Sequence, residues 1–151
     1  MPRFLATGEW EPNPTVATLS NAMDVSAPNN WPRVEAMFAR GDLEPGILTG
    51  FVTSEPETEA KLLTLNEYGY VSEPHAAVAF RALEERLLPG ENGLFLGTAH
   101  PAKFLETVER VLETKLALPE PLAAVADKGV LSVHIPNDFG AFERELRTRL
   151  G

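Results

Sequence analysis

The chain has 151 residues, of which 44% are hydrophobic and 23% charged, and its formal net charge is −9. That composition is typical of one globular domain rather than of a disordered chain. A surface with that charge repels phosphate backbones and anionic lipid, so neither nucleic acid nor a membrane is an expected partner. A small anionic substrate is still compatible with this charge, because a few hydrogen-bond donors at a site can outweigh a net charge that salt screens within about 10 Å.

The sequence contains no cysteine, which excludes a disulfide framework, a thiol nucleophile and a cysteine metal cluster. No apolar run approaches the ~20 residues that span a bilayer, and the first residues do not have the pattern of a signal peptide. We therefore expect a cytoplasmic protein.

The first thirty residues predict irregular chain, because Gly8, Pro12, Pro14 and Pro28 interrupt them. Within them, the β-branched run 15–19 predicts a short strand. No helix or strand is predicted ahead of that run, so we expect the domain to be truncated on its N-terminal side.

Two helices follow. Asn30 is predicted to cap the first, which extends from Trp31 to about Arg40, with Pro32 in its first turn and Gly41 after its end. A strand is predicted over 47–52. Then Ser54 and Glu57 have the spacing of a capping box, in which each side chain binds the other residue's free amide. That second helix is predicted to reach about Glu67 and to stop at Gly69.

A third helix is predicted after Ser72-Glu73-Pro74, closed by Pro89-Gly90. The apolar run 93–97 that follows is typical of a strand covered on both faces. A fourth helix after Pro101 places Phe104, Val108 and Val111 inward.

Leu131, Val133 and Ile135 alternate with polar residues and predict a half-exposed edge strand before a terminal helix. That helix carries Phe139, Phe142, Leu146 and Leu150. Strands alternating with helices predict a layered α/β fold, with residues 1–151 as a single unit.

Ligands of α/β proteins bind beyond the carboxyl ends of strands, where helix N-termini offer free amides. In 97–101 the Thr98 hydroxyl could bind a ligand; alternatively, Thr98 or His100 caps the next helix. In 72–75 Glu73 could face a ligand, or a carboxylate could stand there because the helix dipole favours it.

A third segment, 20–26, follows the strand predicted over 15–19. Its small and amide side chains, Ser20 and Asn21 among them, could line a pocket or be ordinary turn formers. No metal site is predicted, since His75, His100 and His134 have no HExxH spacing and no companion ligands. His75, isolated in a first helical turn, is most simply interpreted as a surface or satisfied residue.

Taken together, four stretches resemble the C-terminal part of threonine synthase. They are PRFLATGEWEP, TVATLSNAMDVSAPNNWPRVE, LNEYGYVSEPHAAVAFRAL and GLFLGTAHPAKF with the helix after it. Their order and spacing agree with the family, and the resemblance covers essentially the whole chain. It implies a portion of a three-layer α/β/α unit, the C-terminal portion of a fold type II enzyme that uses pyridoxal phosphate.

The resemblance also implies a function. The family converts O-phospho-L-homoserine and water into L-threonine and phosphate, with pyridoxal 5'-phosphate as an electron sink. Thr98 matches the hydroxyl residue that binds the pyridine nitrogen, and Glu73 matches the glutamate at the pocket floor near the ring. Ser20 to Asp24 match the loop beside the cofactor, with Ser20 and Asn21 as its candidate contacts.

Two parts of the family's active site have no counterpart in this sequence. The family's Schiff-base lysine and its glycine- and asparagine-rich phosphate loop lie in its N-terminal part, and the lysines here, at positions 61, 103, 115 and 128, do not match that lysine. By this comparison the chain holds no catalytic residue and only the pyridine-side wall of the pocket. We expect it to be inactive alone and to need the family's N-terminal part as a partner.

Two alternatives stay open at this point. A phospholyase related to threonine synthase would keep the same motifs and form different products. A non-catalytic binding or interaction module could retain the fold without the lysine-bearing part. Self-association of the chain is possible in either case.

Overall fold

The computed structural model describes residues 2–9, 11, 13–26, 28–44 and 46–150, and these form seven α-helices and two 3-10 turns. The α-helices are α1 (Pro2–Thr7), α2 (Trp31–Arg40), α3 (Glu55–Glu67), α4 (Pro74–Arg86), α5 (Leu105–Leu112), α6 (Glu120–Ala123) and α7 (Phe139–Leu150). The 3-10 turns span Asn21–Met23 and Pro101–Phe104. Two compact units result, Met1–Ala117 and Leu118–Gly151. That all 151 residues belong to one catalytic domain stays a prediction.

The core of the first unit lies where α3 packs against α4 and α5. Leu62 and Leu65 of α3 and Ala77 of α4 are its buried centre. Three partly buried side chains pack against this centre, namely Phe80 of α4, Phe95 and Val111 of α5. Phe104 and Val108 are buried at the start of α5 and within it, as the sequence predicted.

The start of α3 confirms the predicted capping box. The Ser54 hydroxyl accepts a hydrogen bond from the Glu57 amide at 3.4 Å, and the Ser54 amide donates to Glu57 Oε2 at 2.9 Å. The Ser54 hydroxyl also donates to Glu57 Oε2 at 2.8 Å. The bonds that Ser54 donates to this carboxylate lower the pKa of Glu57, the amide most and the hydroxyl next, and Arg81 adds to them. The helix ends as predicted, since Gly69 adopts a φ of +81°, which non-glycine residues rarely adopt.

Two predictions about the first forty residues are wrong. The chain opens with α1 rather than with irregular structure, and the Gly8 amide closes that helix on the Phe4 carbonyl at 2.7 Å. Helix α2 has the predicted bounds, but the Asn30 side chain makes no cap bond, because Asn30 already has helical backbone angles. Pro12 lies outside the described residues.

None of the predicted strands, over 15–19, 47–52, 93–97 and 131–135, is a strand in the described residues. The α/β class is therefore not confirmed for this chain. The physical reason is that a strand exists only as part of a ladder, and its backbone amides and carbonyls need an extended partner. Helices close their hydrogen bonds within one segment, and the predicted helices form.

The apolar run 93–97 has one covered face rather than two. Gly93 lies against Leu83 of α4 and Leu87 just after that helix. The Phe95 ring packs on the Phe80 ring, with 5.6 Å between the two centroids. Leu94 and Leu96 are 85% and 69% exposed. This alternation has the period of two that a strand has, with one face on α4 and the other uncovered.

The second unit contains α6 and α7. Asp138 Oδ1 accepts from the Ala141 amide at 2.8 Å and so caps α7. The terminal helix is confirmed, but Phe139, Phe142, Leu146 and Leu150 on it are all exposed, and so is the segment 131–135 before it. Among the described residues, no helix is both long enough and apolar enough to cross a membrane.

Candidate functional site

Glu73 is a buried carboxylate at the start of α4. The residue is 1% exposed, and its two oxygens accept hydrogen bonds from the helix it precedes. Oε1 accepts from the Ala76 amide at 2.9 Å, and Oε2 accepts from the His75 amide at 2.8 Å. An acceptor-only carboxylate suits this position, because first-turn amides have no intrahelical partner and the helix dipole favours a negative charge.

His75 completes the contacts of Glu73. Its Nδ1 lies 2.6 Å from Glu73 Oε2, and the imidazole packs against Phe104 with 5.0 Å between ring centroids. The expectation of a surface or satisfied histidine is half right, since Nδ1 is satisfied but the side chain is only 17% exposed.

Two polar atoms beside this cap are buried and have no hydrogen-bond partner among the described residues. They are the Ser72 hydroxyl and His75 Nε2. A buried polar atom left unpaired costs about 1–3 kcal/mol, so proteins retain few of them. Two of them stand at the start of α4, and the Thr53 hydroxyl before α3 is a further one in the first unit. The pair at α4 lies beside a buried carboxylate, which makes this helix start the candidate site.

Thr98 follows the run 93–97 and is exposed. Its side chain takes part in no hydrogen bond of the described residues. The cap of the next turn is instead His100, whose Nδ1 accepts from the Ala102 amide at 3.1 Å. The alternative in which Thr98 caps this turn is therefore wrong, and the Thr98 hydroxyl is free to bind something else.

The Thr98 and Glu73 segments are neighbours in the first unit. A groove is lined by residues just before Ser72, residues just after Thr98 and the chain that follows α5, namely Tyr70, Val71, Ala99, His100, Pro101, Leu116 and Ala117. A Cβ at Gly97 would lie 2.6 Å from the Tyr70 hydroxyl, so the absence of a side chain at Gly97 lets Tyr70 approach. Together with the His75–Phe104 contact, the groove places the two segments side by side.

The loop that carries Ser20 and Asn21 is held from two sides. Asp24 accepts from the Thr18 amide at 2.9 Å and from the Thr18 hydroxyl at 2.6 Å, which closes the loop on itself. Glu55 Oε2 accepts from the Leu19 amide at 2.7 Å and ties the loop to the start of α3. Ser20 is half-buried and Asn21 exposed.

Sequence reasoning missed the residues that hold this site together. Glu55 lies 36 positions from its partner Leu19, and the His75–Glu73 pair needs the ring to turn back over the cap. An acidic residue in a first helical turn was the only signal for Glu55, and a helix dipole explains it equally well. Within the described residues no hydrogen bond joins Glu73, Thr98 and the Ser20–Asn21 loop directly.

The lysines have surface roles. Lys61 binds Glu84 at 2.7 Å and Lys115 binds Glu109 at 2.5 Å, while Lys103 and Lys128 are exposed. Among the described residues, no group of three histidine or acidic side chains is placed to hold a metal ion.

Comparison with known proteins shows that this chain is similar to part of a larger enzyme. A family model described as "Threonine synthase, C-terminal" matches residues 76–144. Threonine synthase of Escherichia coli (strain K12) is 54% identical over 95% of this chain, and that of Serratia marcescens is 53% identical over 97% of it. The chain spans about a third of the length of these relatives, 34% in each case.

Solved structures agree with the sequence comparison. The crystal structure of threonine synthase from Escherichia coli superposes with a TM-score of 0.89, at 52% identity, over 99% of this chain and 35% of that one. The structure of PLP-bound threonine synthase from Brucella melitensis has a TM-score of 0.69 over 97% of this chain and 37% of that one, and at 22% identity it shows the fold alone.

The chain thus has the fold of the C-terminal third of a larger enzyme chain. That enzyme is threonine synthase: the resemblance that the sequence motifs predicted is confirmed, and it is a resemblance to the C-terminal part of the family.

Proposed function

We propose that this chain is the C-terminal part of a threonine synthase that uses pyridoxal phosphate to convert O-phospho-L-homoserine and water into L-threonine and phosphate. The observation that carries the proposal is that the exposed, unpaired Thr98 hydroxyl and the buried Glu73 cap stand on two segments that line one groove, in a chain 54% identical to threonine synthase of Escherichia coli. The cofactor, when bound, supplies an electron sink for carbanion chemistry at the substrate.

Thr98 would hold the pyridine nitrogen of the cofactor. A hydroxyl can donate one hydrogen bond to a ring nitrogen, and the side chain is exposed with no competing partner in the described structure. Because a neutral hydroxyl does not hold the ring protonated as a carboxylate would, Thr98 would moderate the electron sink.

Glu73 would form the floor of the pocket. Both of its oxygens already accept hydrogen bonds from the α4 turn or from His75, so its role would be to hold the start of α4 rigid beneath the ring. Ser20 and Asn21 would line the side of the pocket, on a loop that Asp24 and Glu55 fix.

The remainder of the site would come from the N-terminal part of the enzyme, including the lysine that binds the cofactor covalently. The uncovered Leu94 and Leu96 support this division, since strands from that part would cover them and complete a three-layer α/β/α unit. A cytoplasmic location fits the lack of cysteine and completes the proposal.

Reconstitution tests the proposal. The chain is produced together with the N-terminal two thirds of the Escherichia coli enzyme. Threonine, 2-oxo acid and phosphate formed from O-phospho-L-homoserine are then measured with and without pyridoxal phosphate. Cofactor-dependent threonine formation is expected from the pair and none from the chain alone. A correctly assembled pair that forms no threonine would contradict the proposal; a 2-oxo acid product would identify a phospholyase, and no turnover a non-catalytic module.

Thr98→Val separates the proposed role of Thr98 from a merely structural one. It keeps the shape and removes the hydroxyl, so losing one hydrogen bond to the ring is expected to reduce turnover or cofactor affinity by about 1–3 kcal/mol in the reconstituted enzyme. Thr114→Val, at an exposed threonine after α5, is the matched control and is expected to change neither. Unchanged turnover and cofactor affinity in Thr98→Val would contradict the role.

A further inference from the structure

His75 occupies a position where a less polar residue would be easier to bury. Its Nε2 is buried without a partner in the described structure, while the ring packs on Phe104. A phenyl ring would fill much of the same space and leave no buried acceptor unpaired. What the imidazole adds is the hydrogen bond from Nδ1 to Glu73.

The direction of that bond follows from the chemistry of the two groups. Glu73 accepts backbone hydrogen bonds at both oxygens, so it offers acceptors and no proton. The hydrogen on the 2.6 Å contact therefore belongs to His75 Nδ1. In the neutral ring Nε2 is then an acceptor, and being buried it is out of reach of a ligand in the groove.

The ring also reaches the other half of the candidate site. Phe104 is 7% exposed and ends the turn Pro101–Phe104, which starts three residues after Thr98. His75 thus contacts the Glu73 cap by a hydrogen bond and, by packing on Phe104, the turn that follows Thr98.

We propose that His75 is a positioning residue of this site: it holds the Glu73 carboxylate through Nδ1 and the turn after Thr98 through Phe104, and so fixes the distance between pocket floor and pyridine-nitrogen donor. The inference rests on the function proposed above. It assigns His75 no direct contact with substrate or cofactor.

Three substitutions separate the two contacts. His75→Asn keeps a donor close to the place of Nδ1 and loses the ring; His75→Phe keeps the ring and loses the donor; His75→Ala loses both. His134→Ala is the matched control, since His134 is exposed and makes no hydrogen bond in the described structure. In the reconstituted enzyme, His75→Ala is expected to weaken pyridoxal phosphate binding by ~10- to 100-fold, the effect of losing one hydrogen bond to a charged group.

The two partial variants decide between positioning and packing. Cofactor fluorescence titrations should place His75→Asn and His75→Phe between the wild-type protein and His75→Ala, with Asn closer to wild type. If His75→Phe binds pyridoxal phosphate as the wild-type protein does, the hydrogen bond to Glu73 has no positioning role and the inference is overturned.

A measurement on the 151-residue chain alone keeps the inference independent of enzyme assembly. Imidazole ¹⁵N NMR should show His75 protonated at Nδ1. Glu73→Gln should shift that resonance and the amide signals of residues 99, 100 and 102–104. A Glu73→Gln spectrum with residues 99–104 unmoved would overturn the coupling. By contrast, an inactive wild-type reconstituted pair with the expected NMR result would count against the proposed function only.

Discussion

The α3–α4–α5 core and the segment 93–98 both contain leucines, but those of the core are buried and those of the segment are exposed. Leu62 on α3 is 1% exposed, whereas Leu94 is 85% exposed. The helices of the core meet one another within 60 residues of chain and cover each other's apolar faces. The segment 93–98 has α4 on one side and nothing among the described residues over Leu94 and Leu96 on the other.

The difference shows which kinds of structure a chain can complete by itself. A helix satisfies its own backbone and needs a partner only for one face. A strand needs at least one neighbouring strand for its hydrogen bonds. A central strand needs a neighbour along each edge and a cover on each face as well. In the first unit, therefore, the helices cover one another's apolar faces, whereas the segment 93–98 has one apolar face left exposed. The candidate site lies where this segment meets the helices.

The largest loss of stability is expected from a substitution that leaves a cavity in the α3–α4–α5 core. Leu62→Ala removes a fully buried side chain and is expected to lower the free energy of unfolding by ~2–5 kcal/mol. Leu63→Ala, one position along the same helix at 45% exposed, is expected to lower it by less than about 1 kcal/mol. Urea denaturation followed by circular dichroism measures both, and equal losses would show that the α3 face is not buried as described.

A smaller effect is expected at the edge of the core, where the capping box starts α3. Ser54→Ala removes the hydroxyl that binds the Glu57 amide and is expected to lower the free energy of unfolding by about 0.5–2 kcal/mol. Ser132→Ala, at an exposed serine of the second unit, is the control and should leave it unchanged. No difference between the two variants in thermal denaturation would mean that the capping box contributes nothing.

The same capping box makes the stability of the core depend on acid. The pKa of Glu57 is held below its ordinary value of 4.5, chiefly by the Ser54 amide and hydroxyl and then by Arg81. Because the folded state binds this proton less readily than the unfolded state, the stabilisation is present above that value and is lost as the pH falls through the lowered pKa. Glu57→Gln should flatten the fall in unfolding free energy between about pH 5 and pH 3.

Glu67→Gln is the control for this pH dependence, since Glu67 is exposed at the end of α3 and makes no ion pair in the described structure. It should retain the acid sensitivity of the wild-type protein. An acid profile that Glu57→Gln leaves unaltered would assign the sensitivity to other carboxylates.

The smallest change in stability is expected at the exposed apolar face of the segment 93–98. Replacing Leu94 and Leu96 together by serine should change the free energy of unfolding by no more than about 0.5 kcal/mol, because both side chains are exposed. The double variant should nevertheless bind less of an apolar-surface dye and self-associate less, as dye fluorescence and light scattering would show. Phe95→Ser, on the covered face, should destabilise instead; if the double variant destabilises as much, Leu94 and Leu96 are not exposed in solution.

The sequence by itself determined the features that depend on near neighbours along the chain. The bounds of α2, the capping box of α3, the stop at Gly69 and the start of α4 after Glu73 all follow from residues within a few positions of one another. Four stretches of sequence, those around Glu73 and Thr98 among them, together predicted the resemblance to the C-terminal part of threonine synthase. The two interpretations of Glu73 were also local. Its hydrogen bonds to the first amides of α4 agree with a carboxylate favoured by the helix start, and its place in a ligand pocket stays a prediction.

Only the tertiary structure decided the rest. It assigned the cap of the Pro101–Phe104 turn to His100 and left the Thr98 hydroxyl free, tied the Ser20–Asn21 loop to Glu55, and turned His75 onto both Glu73 and Phe104. It also left the predicted strands unformed, although their apolar patterns are real. For the Leu19–Glu55 bond, the His75–Phe104 contact and the strands, the deciding partner is distant in sequence or must come from another extended segment, and no local pattern specifies such a partner. The His100 cap is local, but the sequence had left Thr98 and His100 open as alternatives.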